Sequence, residues 1–150
     1  MSIVKTFTKV INKMEGILYV GGNGGSAAIA NHFVCDLMKL RIPTISLVSN
    51  VPLITMISND YGYSNLLDYQ LKVLLKPEDK IFLISSSGNS ENVYKIAMQY
   101  PDKILSLTGF DGGRLKFYSK LNYHVKLNDY YDVENAHQKF CHQIIRELEL

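Results

Sequence analysis

The sequence has only two cysteines, and neither Cys35 nor Cys141 belongs to a CxxC spacing. Neither a disulfide framework nor a cysteine zinc knuckle is suggested, and both residues read as reduced thiols. An excess of charge of one sign is also missing, because 16 Lys and Arg stand against 14 Asp and Glu, for a net charge of +2. With no basic stripe, nucleic acid is not an expected partner, whereas a small anionic ligand is compatible. No apolar run approaches membrane-spanning length. The N-terminal segment breaks its apolar residues with Lys5, Lys9 and Lys13, which fits an amphipathic helix rather than a signal peptide, so a cytoplasmic location is expected. No internal repeat, low-complexity tract or interdomain linker is visible.

The chain of 150 residues, 47% hydrophobic and 20% charged, suits one globular domain. Ile3, Phe7, Val10, Ile11 and Met14 follow helical spacing within residues 1–15. Such a face needs something to pack on, and a homo-oligomer is the expected answer. The core is then residues 16–150. Four short apolar runs at 16–20, 44–48, 80–84 and 103–107, with a weaker fifth at 123–127, have strand length and are separated by helical patterns. Strands alternating with helices predict βαβ units, right-handed crossovers and a mainly parallel sheet covered on both faces.

Three of these runs end in polar loops at residues 21–26 (GGNGGS), 85–90 (SSSGNS) and 109–113 (GFDGG). In an open parallel sheet, ligands bind beyond the carboxyl ends of the strands, where these loops meet. Gly24 and Gly25 admit close backbone approach, and Ser26 stands at a helix start with its free N–H groups. Ser85, Ser86, Ser87 and Ser90 offer four hydroxyls in six residues. Neither loop is a Walker motif, and GGNGGS lacks the GxGxxG spacing of a dinucleotide site. A plain turn with capping serines accounts for either loop alone, but two at corresponding strand ends favour a phosphate ester.

On the helix after the first loop, His32 and Asp36 share a face. A last helix, starting near Asp132, carries Glu134, His137 and His142. Imidazoles with carboxylates either ligate zinc or shuttle protons, as moving a hydrogen between sugar carbons requires. Eight residues separate Glu134 from His142, about 12 Å along a helix axis, and His137 points away from His142 and reads as structural. Tyr61, Tyr63, Tyr130 and Tyr131 read as packing residues, and residues 76–80 as a solvated turn.

The segments GGNGGSAAIANHFVCDL, NDYGY, SSSGNSENV, LTGFDGG and ENAHQKFCH together resemble the phosphoheptose isomerases of the sugar isomerase (SIS) domain superfamily. The resemblance implies a single flavodoxin-like αβα sandwich with a five-stranded sheet, assembled as a homotetramer with active sites between subunits. It implies an enzyme that converts sedoheptulose 7-phosphate to D-glycero-D-manno-heptose 7-phosphate, the entry to bacterial heptose and lipopolysaccharide synthesis. Asn23, Gly24, Ser26, Asp60, Ser85, Ser86, Ser87, Ser90 and Glu134 fall on substrate contacts. His32, Asp36, Glu134 and His142 fall on ligands of one zinc ion, and Asp36 and His142 on the catalytic pair. Asp36 stands where the family has glutamate and Glu134 where it has glutamine. Lys39 is the cation nearest to an arginine that is absent, and the N-terminal extension is about half the usual length. The alternatives are an isomerase of another ketose phosphate, or a non-catalytic SIS module that binds a sugar phosphate or a protein. Modules that bind a replication initiator lack the terminal histidine that is present here as His142.

Overall fold

The apolar runs form five strands, β1 (Leu18–Gly22), β2 (Thr44–Ser46), β3 (Lys80–Ser85), β4 (Ile104–Thr108) and β5 (Leu121–His124), in a computed structural model that describes residues 1–150. Seven α-helices accompany them: α1 (Ile3–Lys13), α2 (Gly25–Lys39), α3 (Val51–Tyr61), α4 (Leu66–Leu74), α5 (Glu91–Gln99), α6 (Gly113–Tyr118) and α7 (Tyr130–Leu148). The strands lie in the order β2-β1-β3-β4-β5 and every pairing is parallel. This is the expected flavodoxin-like order, in a sheet wholly rather than mainly parallel. β1 lies two residues later than its apolar pattern suggested, because Gly21 and Gly22 still pair with Leu83 and Ile84.

Side-chain alternation divides β1, β3 and β4 between two cores. Leu18, Val20, Phe82, Ile84, Leu105 and Leu107 face a layer of α1, α2 and α7, where they meet Phe7, Phe33, Leu37 and Phe140. Tyr19, Ile81, Leu83 and Ile104 face the opposite layer, packed against α3 to α6 through Ile57, Leu67, Leu71, Val93, Ile96 and Leu115. Burial on both faces explains why β1, β3 and β4 read as continuous apolar runs rather than alternating ones. Tyr123, on β5, stacks on Phe140 of α7 with ring centroids 3.8 Å apart.

Two sequence readings are refined here. The apolar face of α1 is partly covered by its own chain, with Phe7 edge-on to Phe140 at 5.1 Å and to Phe82 at 5.9 Å and Ile11 buried, while Ile3 is exposed and Val10 and Met14 are half-buried. Residues 76–80 are not a solvated turn throughout. Asp79 is 2% exposed, its Oδ1 accepting from Ile17 N–H at 2.8 Å and its Oδ2 from Lys76 N–H at 2.7 Å. That carboxylate ties the entry of β1 to the entry of β3, a long-range role that a local charge pattern does not reveal.

Phe82 is fully buried between Phe7 and Phe33 at the centre of the larger core. Phe82→Ala is expected to lower stability by about 3–5 kcal/mol through lost burial and a cavity, measured as a shift of the urea unfolding midpoint at unchanged m-value.

Candidate functional site

β1 and β3 are neighbours, but the chain leaves β1 into α2 on one face and leaves β3 into α5 on the other. Such a reversal opens a crevice at the carboxyl ends of the two strands. A pocket of about 110 Å³ lies there, lined by Asn23, Ser26, Ser85, Ser86, Ser87, Ser90, Tyr130 and Glu134. The pocket depends on Gly22, because a Cβ there would stand 2.8 Å from Ile84 O and 3.0 Å from Ser26 Cβ. α2 can begin this close to the sheet only without a side chain at that point.

The serine loop is arranged to donate. Ser85 Oγ accepts from Gly88 N–H at 3.1 Å and Ser87 Oγ from Asn89 N–H at 3.2 Å. Each hydroxyl keeps a hydrogen for a ligand. Ser86, 5% exposed, has its Oγ buried with no partner in the protein. A buried hydroxyl left unpaired costs roughly 1–3 kcal/mol, a deficit that a bound oxyanion removes.

The start of α2 differs from expectation. The Ser26 and Ala27 N–H groups are already bonded to Asn23 O at 2.9 and 3.2 Å. The Glu134 carboxylate lies so close over Gly25 that any Cβ there would collide with it. The chain's own anion therefore sits at the positive end of α2, and the serine loop is left as the place for an external one. Gly24 caps α2 with φ +53° and does not line the pocket.

Further along α2 and α7, His32, Asp36 and His142 converge, their ligand atoms all within 4.8 Å of one another. Asp36 Oδ2 is 3.4 Å from His32 Nε2 and 3.9 Å from His142 Nε2, and the two rings meet edge to face with centroids 5.2 Å apart. Asp36 Oδ1 pairs with Lys39 Nζ at 3.2 Å, and Gln138 Nε2 lies 3.1 Å from His142 Nε2. Asp36 is held at 12% side-chain exposure while both imidazoles stay half-open to solvent. Two imidazoles and one carboxylate are the donor set of a catalytic zinc site with an open position, so these residues fit such an ion.

Glu134 is not part of this cluster. Two turns of α7 place it in the serine pocket, so the fourth expected ligand is not brought together with the other three. Asp60 is also absent from the pocket, being exposed at the end of α3 with Asn59 as its hydrogen-bond partner. Two tyrosines read as packing residues do reach the site: Tyr130 lines the pocket, and the Tyr63 hydroxyl donates to Asn23 Oδ1 at 2.6 Å. Tyr130 had a usable signal, since it precedes Glu134 by four residues on one helix face. Tyr63 lies in the turn between α3 and α4 and ends the NDYGY segment of the resemblance, which was its signal.

His137 is buried as its spacing suggested, with Nε2 3.0 Å from Thr108 O and Nδ1 unpartnered. Burial lowers its pKa to about 4, against the opposing Thr108 hydrogen bond. Between that value and about 6.5, the unfolded chain binds a proton that the folded chain does not, so stability falls as pH drops through this window. The loss is at most about 3 kcal/mol. Urea unfolding at pH 7 and pH 4.5 is expected to show a smaller acid-induced loss in His137→Gln than in the unsubstituted protein.

Residues 4–104 match the family model of the SIS domain. The phosphoheptose isomerase of Aliarcobacter butzleri is 38% identical over 132 residues, 82% of this chain and 70% of that protein. That of Geotalea daltonii is 35% identical over 141 residues, 88% of this chain and 73% of that protein. Among solved structures, the phosphoheptose isomerase of Neisseria gonorrhoeae superposes with a TM-score of 0.91 at 26% identity, covering 97% of this chain and 85% of that one. The Francisella tularensis enzyme gives the same TM-score and identity over 98% and 84%. A switch-point serine pocket on this sheet order, together with these likenesses, shows that the chain belongs to the SIS domain family and, within it, to the phosphoheptose isomerases, which are enzymes of the isomerase class.

Proposed function

We propose that the protein is an aldose–ketose isomerase that converts sedoheptulose 7-phosphate to D-glycero-D-manno-heptose 7-phosphate, the first step towards the heptose of lipopolysaccharide. The observation that carries this reading is that one pair of helices, α2 and α7, carries two unlike ends. Ser26 of α2 and Glu134 of α7 stand at the serine pocket, and His32 and Asp36 of α2 join His142 of α7 further along the same helices. Six residues from Ser26 to His32 span about 9 Å of helix, and ten to Asp36 about 15 Å. A ligand that engages both ends carries its phosphate several bonds from its carbonyl, as a seven-carbon sugar phosphate does and a triose phosphate does not.

In this reading the Ser85, Ser86, Ser87 and Ser90 hydroxyls hold the phosphate, and Glu134 accepts from sugar hydroxyls. A carboxylate at that wall repels a phosphate and thereby sets the direction in which the chain of carbons lies. His32, Asp36 and His142 hold one zinc ion, which when bound polarises the sugar carbonyl as a Lewis acid. Asp36 and His142 are the acid–base pair. One takes the proton from C1 as the C2 oxygen gains a proton, forming the enediol, and C2 is then reprotonated while the C1 hydroxyl loses its hydrogen. Lys39 on Oδ1 leaves Asp36 Oδ2 as the oxygen turned to both imidazoles.

The same reading includes a homotetramer with sites between subunits. Its support is an apolar surface on α3 and α4, where Leu53, Met56, Tyr69, Val73 and Leu74 border a shallow cavity of about 320 Å³. Asp60, in the last turn of α3, lies outside the chain's own pocket, so its place in a site would come across a subunit boundary.

Sedoheptulose 7-phosphate supplied to the zinc-loaded protein is expected to yield the aldose. Asp36→Asn and His142→Ala should each lower turnover by about 10²–10⁴-fold while the sugar phosphate still binds. Zinc content should be one per chain, lost in His32→Ala and kept in Glu134→Ala. Ligand binding without turnover in the zinc-loaded protein would refute the enzyme, and loss of zinc in Glu134→Ala would restore Glu134 as a ligand.

A further inference from the structure

Asn23 faces the serine pocket with its amide engaged from behind. Its Oδ1 accepts from the Tyr63 hydroxyl at 2.6 Å and from Asn92 Nδ2 at 2.8 Å, and its Nδ2 donates to Asn92 Oδ1 at 2.8 Å. The three side chains come from separate parts of the chain: the loop after β1, the turn between α3 and α4, and the first turn of α5. An amide oxygen has two lone pairs and an amide nitrogen two hydrogens. Both lone pairs of Asn23 Oδ1 are therefore occupied, as is one Nδ2 hydrogen. One N–H remains.

An unconstrained asparagine can turn over and offer a ligand either its oxygen or its nitrogen. Here a turn of Asn23 alone would set its NH₂ against Asn92 Nδ2 and its oxygen against Asn92 Oδ1, breaking both bonds of the pair. Asn92 is 3% exposed, so the groups released could not be rehydrated. We propose that Tyr63 and Asn92 are positioning residues that lock the Asn23 amide so that it meets the pocket as a single N–H donor, which makes Asn23 a reader of an acceptor oxygen on the bound anion. The identity of that anion rests on the sugar-phosphate reading, but the lock belongs to the ligand-free chain. Its consequence is that Asn23 offers the bound molecule a donor and no acceptor, which suits a phosphate oxygen, an atom that only accepts. The lock also couples the α3–α4 turn to the pocket, so a change in that surface turn reaches the ligand through one hydroxyl.

Tyr63 is 47% exposed, and Tyr63→Phe removes one oxygen without opening the core. Two readouts apply. In the ligand-free protein, side-chain ¹⁵N relaxation of Asn23 should show an ordered amide that becomes mobile in Tyr63→Phe. In titrations with sedoheptulose 7-phosphate and with inorganic phosphate, Tyr63→Phe should weaken binding roughly 2- to 12-fold, the loss falling on KM more than on kcat. Asn92→Ala should weaken it further, and Asn23→Ala at least as much. An equally ordered Asn23 amide in Tyr63→Phe, or unchanged affinity and KM in that variant, would overturn the lock. If the unsubstituted protein binds neither ligand, the sugar-phosphate reading falls, and amide order in the two proteins still decides whether Tyr63 holds Asn23.

Discussion

At Gly22 the backbones of β1 and β3 and the first turn of α2 come so close that a methyl group would meet Ile84 O at 2.8 Å. Because they are that close, Ser26 at the start of α2 and Ser85 and Ser86 at the end of β3 share one pocket rather than bordering a gap. Gly25 repeats the device one step on, leaving room for the Glu134 carboxylate from α7. Further along the two helices, His32 and Asp36 of α2 meet His142 of α7. A change at either glycine would alter the pocket before it altered the cores, since Phe82 and Ile84 pack on the helix layer behind it.

The site has two unlike ends. At the sheet end, hydroxyls and an amide stand with a single carboxylate, that of Glu134, and no cation, and the Ser86 Oγ has no partner in the protein. At the far end the charges are concentrated, with Asp36 enclosed by Lys39 and two imidazoles. Cys141 lies immediately beside His142 in the chain but is buried, and burial pushes its thiol far above the ordinary range, so it takes no part. Asp36, one methylene shorter than the glutamate of the resembled family, still has its Oδ2 3.4 Å from His32 Nε2 and 3.9 Å from His142 Nε2.

Much of this was legible in the sequence, for identifiable reasons. Parallel strands buried on both faces leave continuous apolar runs, and loops at their carboxyl ends are polar, so β1, β3 and β4 and the two serine- and glycine-rich loops announced themselves. His32 with Asp36 followed from helical spacing. What was not legible depended on contacts between distant segments. The burial of Asp79 is decided by Ile17, 62 residues away in the chain. Tyr63 reaches Asn23 across 40 residues. The packing of α1 on α7 needed the C-terminal helix to be placed first. Glu134 was assigned to two sites, and the helix geometry that separates it from His142 by two turns leaves it in one. Asp60 shows the opposite limit, since a motif resemblance placed it at a pocket that the single chain does not bring it to.

In the proposed reaction the site holds a sugar phosphate by its phosphate and moves a proton between its first two carbons. Incubating the zinc-loaded protein with sedoheptulose 7-phosphate in heavy water and reading the sugars by NMR tests this directly. Deuterium is expected at C2 of the aldose formed, and at C1 of the ketose recovered, because the proton removed exchanges with solvent at the enediol stage. Aldose formed without any deuterium would contradict the proton-transfer route, and a ketose recovered undeuterated with no aldose formed would contradict catalysis at this site.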